Sequence, residues 1–325
     1  MSAQGAVPAG GPAIAVAGEA LFDLVSGGGP ALTAIPGGSP YNTARAIARL
    51  GVSCAWIGSL SDDRFGRALE ATLVMDGVDL RHVQRTSMPT TLAVAELDPS
   101  GAASYRFYVD GTAGPALYQA PLQDGLPRGT CALLVGSLGL VLEPMASTVE
   151  ELVLSLGPEV ILMVDPNARP SIVRDQQRWR ARLERILGRA DIVKASADDL
   201  SALRPGAAAD DTARWLASLG PSAVIVTDGP GAVLVECGGQ HRELTPDAVA
   251  VVDTIGAGDT FSGALLAFLV ATGTGRHDLS DVALVTQAVM FALRASAEVC
   301  QRHGADPPTL AELGGWPIVS RTTSR

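Results

Sequence analysis

Short apolar runs alternate with helix-patterned stretches along most of this chain, and that alternation restricts the fold more than any other feature. Ala13–Ala17, Ala55–Leu60, Cys131–Val135, Val160–Val164, Asp191–Lys194 and Ala223–Val226 read as strands. Short apolar strands of this kind belong to a sheet covered on both faces, and the helices between them make neighbouring strands parallel. The cover comes from Thr43–Leu50, a helix capped by Asp62 and reaching about Met75, Glu143–Leu156, Gln176–Leu187 and Asp211–Leu219. Val233–Val235 and the segment before Thr245 read as a hairpin, and Asp281–Arg302 as a long final helix. The fold class is α/β, with a mostly parallel sheet between helical layers.

One region breaks the alternation. Leu92–Leu97, a turn at Asp98–Gly101 and Ser104–Val109 read as a β-hairpin. Earlier, the glycine-rich turn Ser26–Pro30 and the short segment Ala31–Ile35 also leave the main sheet. Together they suggest a small β lid, about residues 24–36 and 90–113, with Gly111–Gly114 as a candidate hinge.

Composition narrows the chemistry. With 325 residues, 47% hydrophobic and 18% charged, the chain can bury a large core and is not disordered. A single domain is expected at residues 13–308, with 1–12 and 317–325 as flexible tails. A net charge of −10 without a basic cluster argues against nucleic acid as a partner. No apolar run reaches the ~20 residues of a membrane span. Met1–Gly11 lacks the basic start and apolar centre of a signal peptide. Cys54, Cys131, Cys237 and Cys300 are widely spaced and read as reduced thiols, with neither disulfide nor zinc spacing. A cytoplasmic location is expected.

Polar residues collect where the strands end: Asp23, Asn42, Asp165 with Asn167 and Arg169, Asp198 with Asp199, Thr227 with Gly229, and Asp253 through Asp259. Open α/β sheets bind ligands outside the carboxyl ends of their strands, so these clusters mark one rim. The most informative is Val251–Gly263. An apolar run, Val249–Val252, enters it, an apolar helical run, Ala264–Ala271, leaves it, and Gly256-Ala257-Gly258 lies between. Small residues allow close backbone approach, and the unpaired amides of a helix's first turn attract phosphate. Asp259 in this cradle has two readings. It caps the helix, or it orients an alcohol and takes its proton during phosphoryl transfer.

Other chemistries are excluded. There is no Gly-x-x-x-x-Gly-Lys-Ser/Thr loop, no dinucleotide fingerprint after the first strand, no Gly-x-Ser-x-Gly elbow and no histidine pair at metal spacing. Residues 253–261, Asp-Thr-Ile-Gly-Ala-Gly-Asp-Thr-Phe, resemble the C-terminal signature of ribokinase-like (PfkB) carbohydrate kinases, and residues 37–44 resemble the N-terminal one. Residues 18–23, 165–170 and 291–305 are similar to bacterial fructokinases in particular. The likeness runs in order from about Ala13 to Pro308.

The resemblance implies a three-layer α/β/α sandwich with a β-sheet lid. It implies transfer of the ATP γ-phosphoryl group to a sugar hydroxymethyl group, with fructose as the leading acceptor. Another sugar, 2-keto-3-deoxygluconate or a nucleoside is the alternative acceptor. A sugar-sensing protein with weak catalysis is the alternative of another class. Asp259 matches the general base, beside an anion hole at Gly256, Ala257 and Gly258. Asp23, Gly37, Gly38 and Asn42 match the sugar site, with Arg106 and Arg169 also on the substrate side. Lys194, Thr227, Gly229 and Gly231 fall at the nucleotide. Asp253 and Ile255 fall where relatives hold a monovalent cation such as K⁺. ATP brings Mg²⁺, and here the chain departs: Lys194-Ala195-Ser196-Ala197 stands in place of the family's Asn-x-x-Glu. Asp198 is then the metal-side candidate, or only part of a helix start. Exposed lid strands are an expected homodimer contact.

Overall fold

The computed structural model describes residues 13–26, 31–97, 103–118 and 125–317. The expected tails before residue 13 and after residue 317, the glycine-rich turn after Ser26 and the hairpin turn Asp98–Gly101 lie outside the described residues. β1 (Ile14–Ala17) is followed by β2 (Leu21–Ser26), β3 (Leu32–Gly37) and α1 (Ser39–Arg49). Next come β4 (Cys54–Ile57), β5 (Ser59–Ser61), α2 (Arg64–Met75), β6 (Gln84–Thr86) and the hairpin β7 (Leu92–Leu97) with β8 (Ala103–Tyr108). Strict alternation then sets in: β9 (Ala132–Gly136), α3 (Met145–Leu154), β10 (Ile161–Asp165), α4 (Gln176–Leu187) and β11 (Ile192–Ser196). α5 (Ala197–Leu203) and α6 (Ala209–Ser218) lead to β12 (Ala223–Thr227). The antiparallel pair β13 (Val233–Cys237) and β14 (Gln240–Leu244) precedes α7 (Ala257–Ala271) and α8 (Val282–Val299).

The main sheet has the order β14-β13-β12-β11-β10-β9-β1-β4 and is parallel from β12 to β4. Every residue of β1, β9 and β10 is buried, as short apolar strands require. Successive side chains point to opposite faces. Val16, Leu134 and Met163 therefore join the core shared with α1, α7 and α8, while Leu133, Leu162 and Val224 join the core beneath α3, α4 and α6. α8 has the length of a membrane span and a mean hydropathy of 1.4. Its Leu284, Val285, Val289 and Phe291 are instead buried in the same core as α7.

A separate four-stranded sheet, β3-β2-β7-β8, matches the expected lid. It begins at Leu21, earlier than the sequence suggests. Asp23 is therefore a lid residue, paired with Ile35 and Ala93, and does not end a main-sheet strand. Two other expectations are corrected. α1 starts at Ser39 and not Thr43, because Pro40 suits a first helical turn, where its missing N–H has no partner to lose. Asp63 and not Asp62 caps α2, accepting from the Gly66 amide at 2.7 Å. The apolar run Val249–Val252 that leads into α7 is not buried at its end: Val251 and Val252 are 61% and 50% exposed, and the Val252 amide donates to the Cys300 carbonyl beyond α8.

α7 is buried from Thr260 to Leu269 against α1 and α8. Gly263 permits this, since a methyl group there would lie 3.0 Å from both Ala46 Cβ and the Thr43 carbonyl. The close approach sets Asn42, on the first turn of α1, beside the first turn of α7.

Candidate active site

A cleft of about 300 Å³ opens where β1, β9, β10 and β11 end, below the lid. Chain order reverses between β1 and β9: the first crossover runs outward to β4, and later strands add on the other side. Such a switch point leaves a crevice where ligands bind. Glu19, Ser137, Asp165 and Lys194 form the floor. Asp23, Tyr105 and Phe107 reach in from the lid, and Gly38, Ser39 and Asn42 from the start of α1.

α7 supplies the remaining wall. Its N-cap is Gly256, at φ +78°, where a methyl group would meet Ala305 Cβ at 2.6 Å. Asp259 therefore does not cap the helix, and that part of the sequence reading fails. It stands within the first turn, with its carboxylate toward α1. Asn42 Nδ2 donates to Oδ2 at 2.9 Å and Ser39 adds a second hydrogen bond. Burial pushes the Asp259 carboxyl above its ordinary range, opposed by those two bonds and by Lys194. Gly256 and Gly258 line the cleft, whereas Ala257 does not. The Ala257 amide donates to the Thr254 carbonyl at 3.2 Å, and its carbonyl accepts from Ser296 Oγ at 3.0 Å.

Behind the glycines lies a buried ion pair. Lys194 Nζ is 3.1 Å from Asp165 Oδ2, which also accepts from Ser262 Oγ at 2.8 Å. Burial works against the lysine's charge, but Asp165, Asp199 and Asp259 outweigh it and raise the Lys194 pKa. Lys194 is thus a cation, although sequence reasoning gave it no partner.

Sequence reasoning also does not single out Glu19, which is 1% exposed. Burial raises its carboxyl from 4.5 to about 7, partly offset by a hydrogen bond with Ser137. Burial and then Asp259 raise Asp23 from 3.8 to about 6. The folded state therefore holds the Glu19 proton more tightly than the unfolded chain does. Its contribution to stability is fully present below pH 4.5 and lost as pH rises to about 7. Glu19→Gln is expected to gain stability relative to wild type across that window, by about 3 kcal/mol at its upper end. Denaturant melts at several pH values measure this; a constant difference would show that Glu19 titrates normally.

Residues 14–312 match the pfkB family carbohydrate kinase model. The chain belongs to this family. Among its relatives, a fructokinase of Rhizobium leguminosarum bv. trifolii is 34% identical over 259 residues, 78% of each chain. The crystal structure of a fructokinase from Vibrio cholerae O395, with fructose, ADP and calcium bound, superposes with a TM-score of 0.81 at 29% identity, covering 93% of this chain and 97% of that one. Aminoimidazole riboside kinase from Salmonella enterica, complexed with aminoimidazole riboside and an ATP analogue, gives a TM-score of 0.80 at 26% identity, covering 93% and 98%. The sandwich and its smaller sheet are the ribokinase-like fold of this family.

Not every position suggested by the family pattern reaches the cleft. Arg169 does, with its guanidinium hydrogen-bonded to the Asn167 and Ala168 carbonyls at 3.3 and 3.1 Å. Arg106 does not line it; its strand neighbours Tyr105 and Phe107 do, as alternation along β8 requires. Gly37 makes room for the lid carboxylate, since a methyl group there would stand 2.1 Å from Asp23 Oδ2. Thr227 closes β12 in register with Ser196, and Gly229 and Gly231 follow in the next turn, outside the cleft. Asp199 is held in the capping box of α5 and accepts from the Ala168 amide at 2.6 Å, leaving Asp198 exposed on that helix's first turn. Asp253 accepts from the Ile255 and Gly304 amides at 3.0 and 2.9 Å and so ties the entry of α7 to the segment after α8. A larger cavity, about 410 Å³, lies behind the lid base. Its charges pair with one another, as in Arg174–Asp110 and Arg178–Glu143.

Proposed function

We propose that this kinase converts fructose to fructose 6-phosphate, transferring the γ-phosphoryl group of ATP to a sugar hydroxymethyl group. The observation that carries this reading is Asp259: a half-buried carboxylate held by Asn42 and Ser39 in the same cleft as Gly256 and Gly258. A carboxylate is too weak a base to ionise an alcohol beforehand. Asp259 therefore orients the hydroxyl and accepts its proton as the new O–P bond forms and the bond to ADP breaks. The amides of Gly256 and Gly258, at the positive end of α7, stabilise charge on the phosphoryl oxygens. Asp23, Gly38 and Asn42 serve the sugar; Asn42 Oδ1 is buried without a partner among the described residues, which suits a sugar hydroxyl. ATP lies toward Thr227, Gly229 and Gly231. The domain at residues 13–308 closes its lid, segments 24–36 and 90–113, over the sugar, and the lid edges pair in a homodimer.

Mg²⁺, bound with ATP, supplies neutralisation of phosphate charge. Among the described residues no three acids, histidines or cysteines are placed to hold a metal ion together. That fits Mg²⁺, which keeps several waters and takes one or two carboxylates. Asp198 would be that carboxylate. Asp253 and the Ile255 carbonyl would hold a monovalent cation such as K⁺ beside the anion hole.

One observation favours a nucleoside acceptor as a second reading. The rings of Tyr105 and Phe107, 6.2 Å apart and inclined by 29°, line the cleft where a base would stack. ADP release with fructose, other sugars, 2-keto-3-deoxygluconate and nucleosides, with and without K⁺, separates the two. Fructose is expected to give the highest kcat/KM, by about tenfold or more over other acceptors. A nucleoside in first place would select the second reading, and no ADP release with any acceptor would overturn both.

A further inference from the structure

Of the two carboxyls on the cleft floor, Asp165 is paired with Lys194 and Ser262, whereas Glu19 has no ion-pair partner among the described residues and no task in the mechanism. It follows β1 at the switch point and lies nine-tenths or more buried, with Oε2 lacking any hydrogen-bond partner among the described residues. A buried polar atom left unpaired is destabilising, and native proteins retain few of them without a reason. Its hydrogen-bond partner is Ser137, a non-glycine residue at φ +53°, where the backbone is strained. Strain of this kind persists at ligand-binding positions. Asp259 is already oriented by Asn42 and Ser39, so Glu19 is not needed to hold the base.

We infer that Glu19, fixed by Ser137, binds the acceptor: its Oε2 accepts a hydrogen bond from a sugar hydroxyl other than the one phosphorylated. The inference rests on the sugar-kinase reading above. It makes Glu19 a specificity-determining residue for polyhydroxylated acceptors. The charged groups that face it are Asp259 on α7, Asp23 on the lid, Asp165 and Lys194 on the floor, and Arg169 after β10. Protonation removes an acceptor, so the sugar KM of wild type should rise as pH falls through the range where Glu19 titrates.

The test uses the full chain, ATP with Mg²⁺, the best acceptor from the panel and its monodeoxy analogues. Glu19→Gln keeps the shape and is expected to lower kcat/KM roughly tenfold, through KM, because a charge-assisted bond becomes a neutral one. One monodeoxy analogue, lacking the contacted hydroxyl, should be used equally by wild type and variant. The KM of Glu19→Gln should also lose the acid limb down to the range of Asp23. Ser137→Ala, which leaves the carboxylate but not its support, should show a smaller loss with the same analogue insensitive. An equal loss on every analogue, or no loss on the parent sugar, would overturn the inference while leaving the kinase intact. Absence of turnover in wild type would instead overturn the sugar-kinase reading, and this inference with it.

Discussion

Asp259→Asn is expected to bind sugar and ATP as wild type does and to lose about a hundredfold to ten-thousandfold in kcat, the usual worth of a positioned general base. The substitution is nearly isosteric. The Asn42 Nδ2 bond at 2.9 Å needs only an oxygen on its partner, and an amide supplies one. Burial and Asp165 both oppose the native charge, so its removal should not unfold the protein. The loss would then report chemistry, and KM should change little. In wild type the base works only when ionised. Its raised pKa predicts that kcat falls with falling pH at a higher pH than an ordinary aspartate would give, and this limb should be absent from the residual activity of the variant. Isothermal titration with each ligand, together with single-turnover kinetics, checks both parts. Turnover equal to wild type would remove Asp259 from the mechanism.

Much of this arrangement was legible in the sequence because it is local. A helix such as Gln176–Leu187 declares both its ends through its apolar period and the aspartate before it, which accepts from the Arg178 amide. The buried parallel strands are apolar runs, and their polar ends follow directly from the sheet's rim. What escaped depends on distant contacts. The helical setting of Asn42 and its bond to Asp259 need α1 to pack on α7, which the bare surface of Gly263 allows. Asp259 resembles a cap in sequence, but a left-handed Gly256 ends the loop three residues earlier and moves the carboxylate into the first turn. Glu19 and Ser137 look like ordinary polar residues after two strands. Only the adjacency of β1 and β9, with Ala17 opposite Val135, brings them together. Arg106 differs for another reason: the resemblance puts it on the substrate side, but strand alternation aims its neighbours Tyr105 and Phe107 at the cleft.

Lys194→Met should be the most damaging single change to stability. It leaves the Asp165 carboxylate buried, with Ser262 as its remaining hydrogen-bond donor, and removal of one partner of a buried ion pair costs about 3–5 kcal/mol. The lysine also offsets Asp259, whose carboxyl burial holds above its ordinary range, so the loss should deepen as pH rises and that carboxyl ionises. Asp165→Asn in the Lys194→Met background removes the stranded charge and should restore most of the stability, since both partners are then neutral. That double variant decides what else the lysine does. A methyl group built on Gly258 would lie 3.2 Å from Lys194 Nζ, which puts the ammonium against the glycine proposed to meet the phosphoryl group. If the ammonium stabilises charge developing there, the double variant should fold as wild type yet remain about a hundredfold or more down in kcat. Recovery of kcat together with stability would confine Lys194 to holding Asp165, and would leave the Gly256 and Gly258 amides, with ATP's own metal, as the stabilisers of the transferred group.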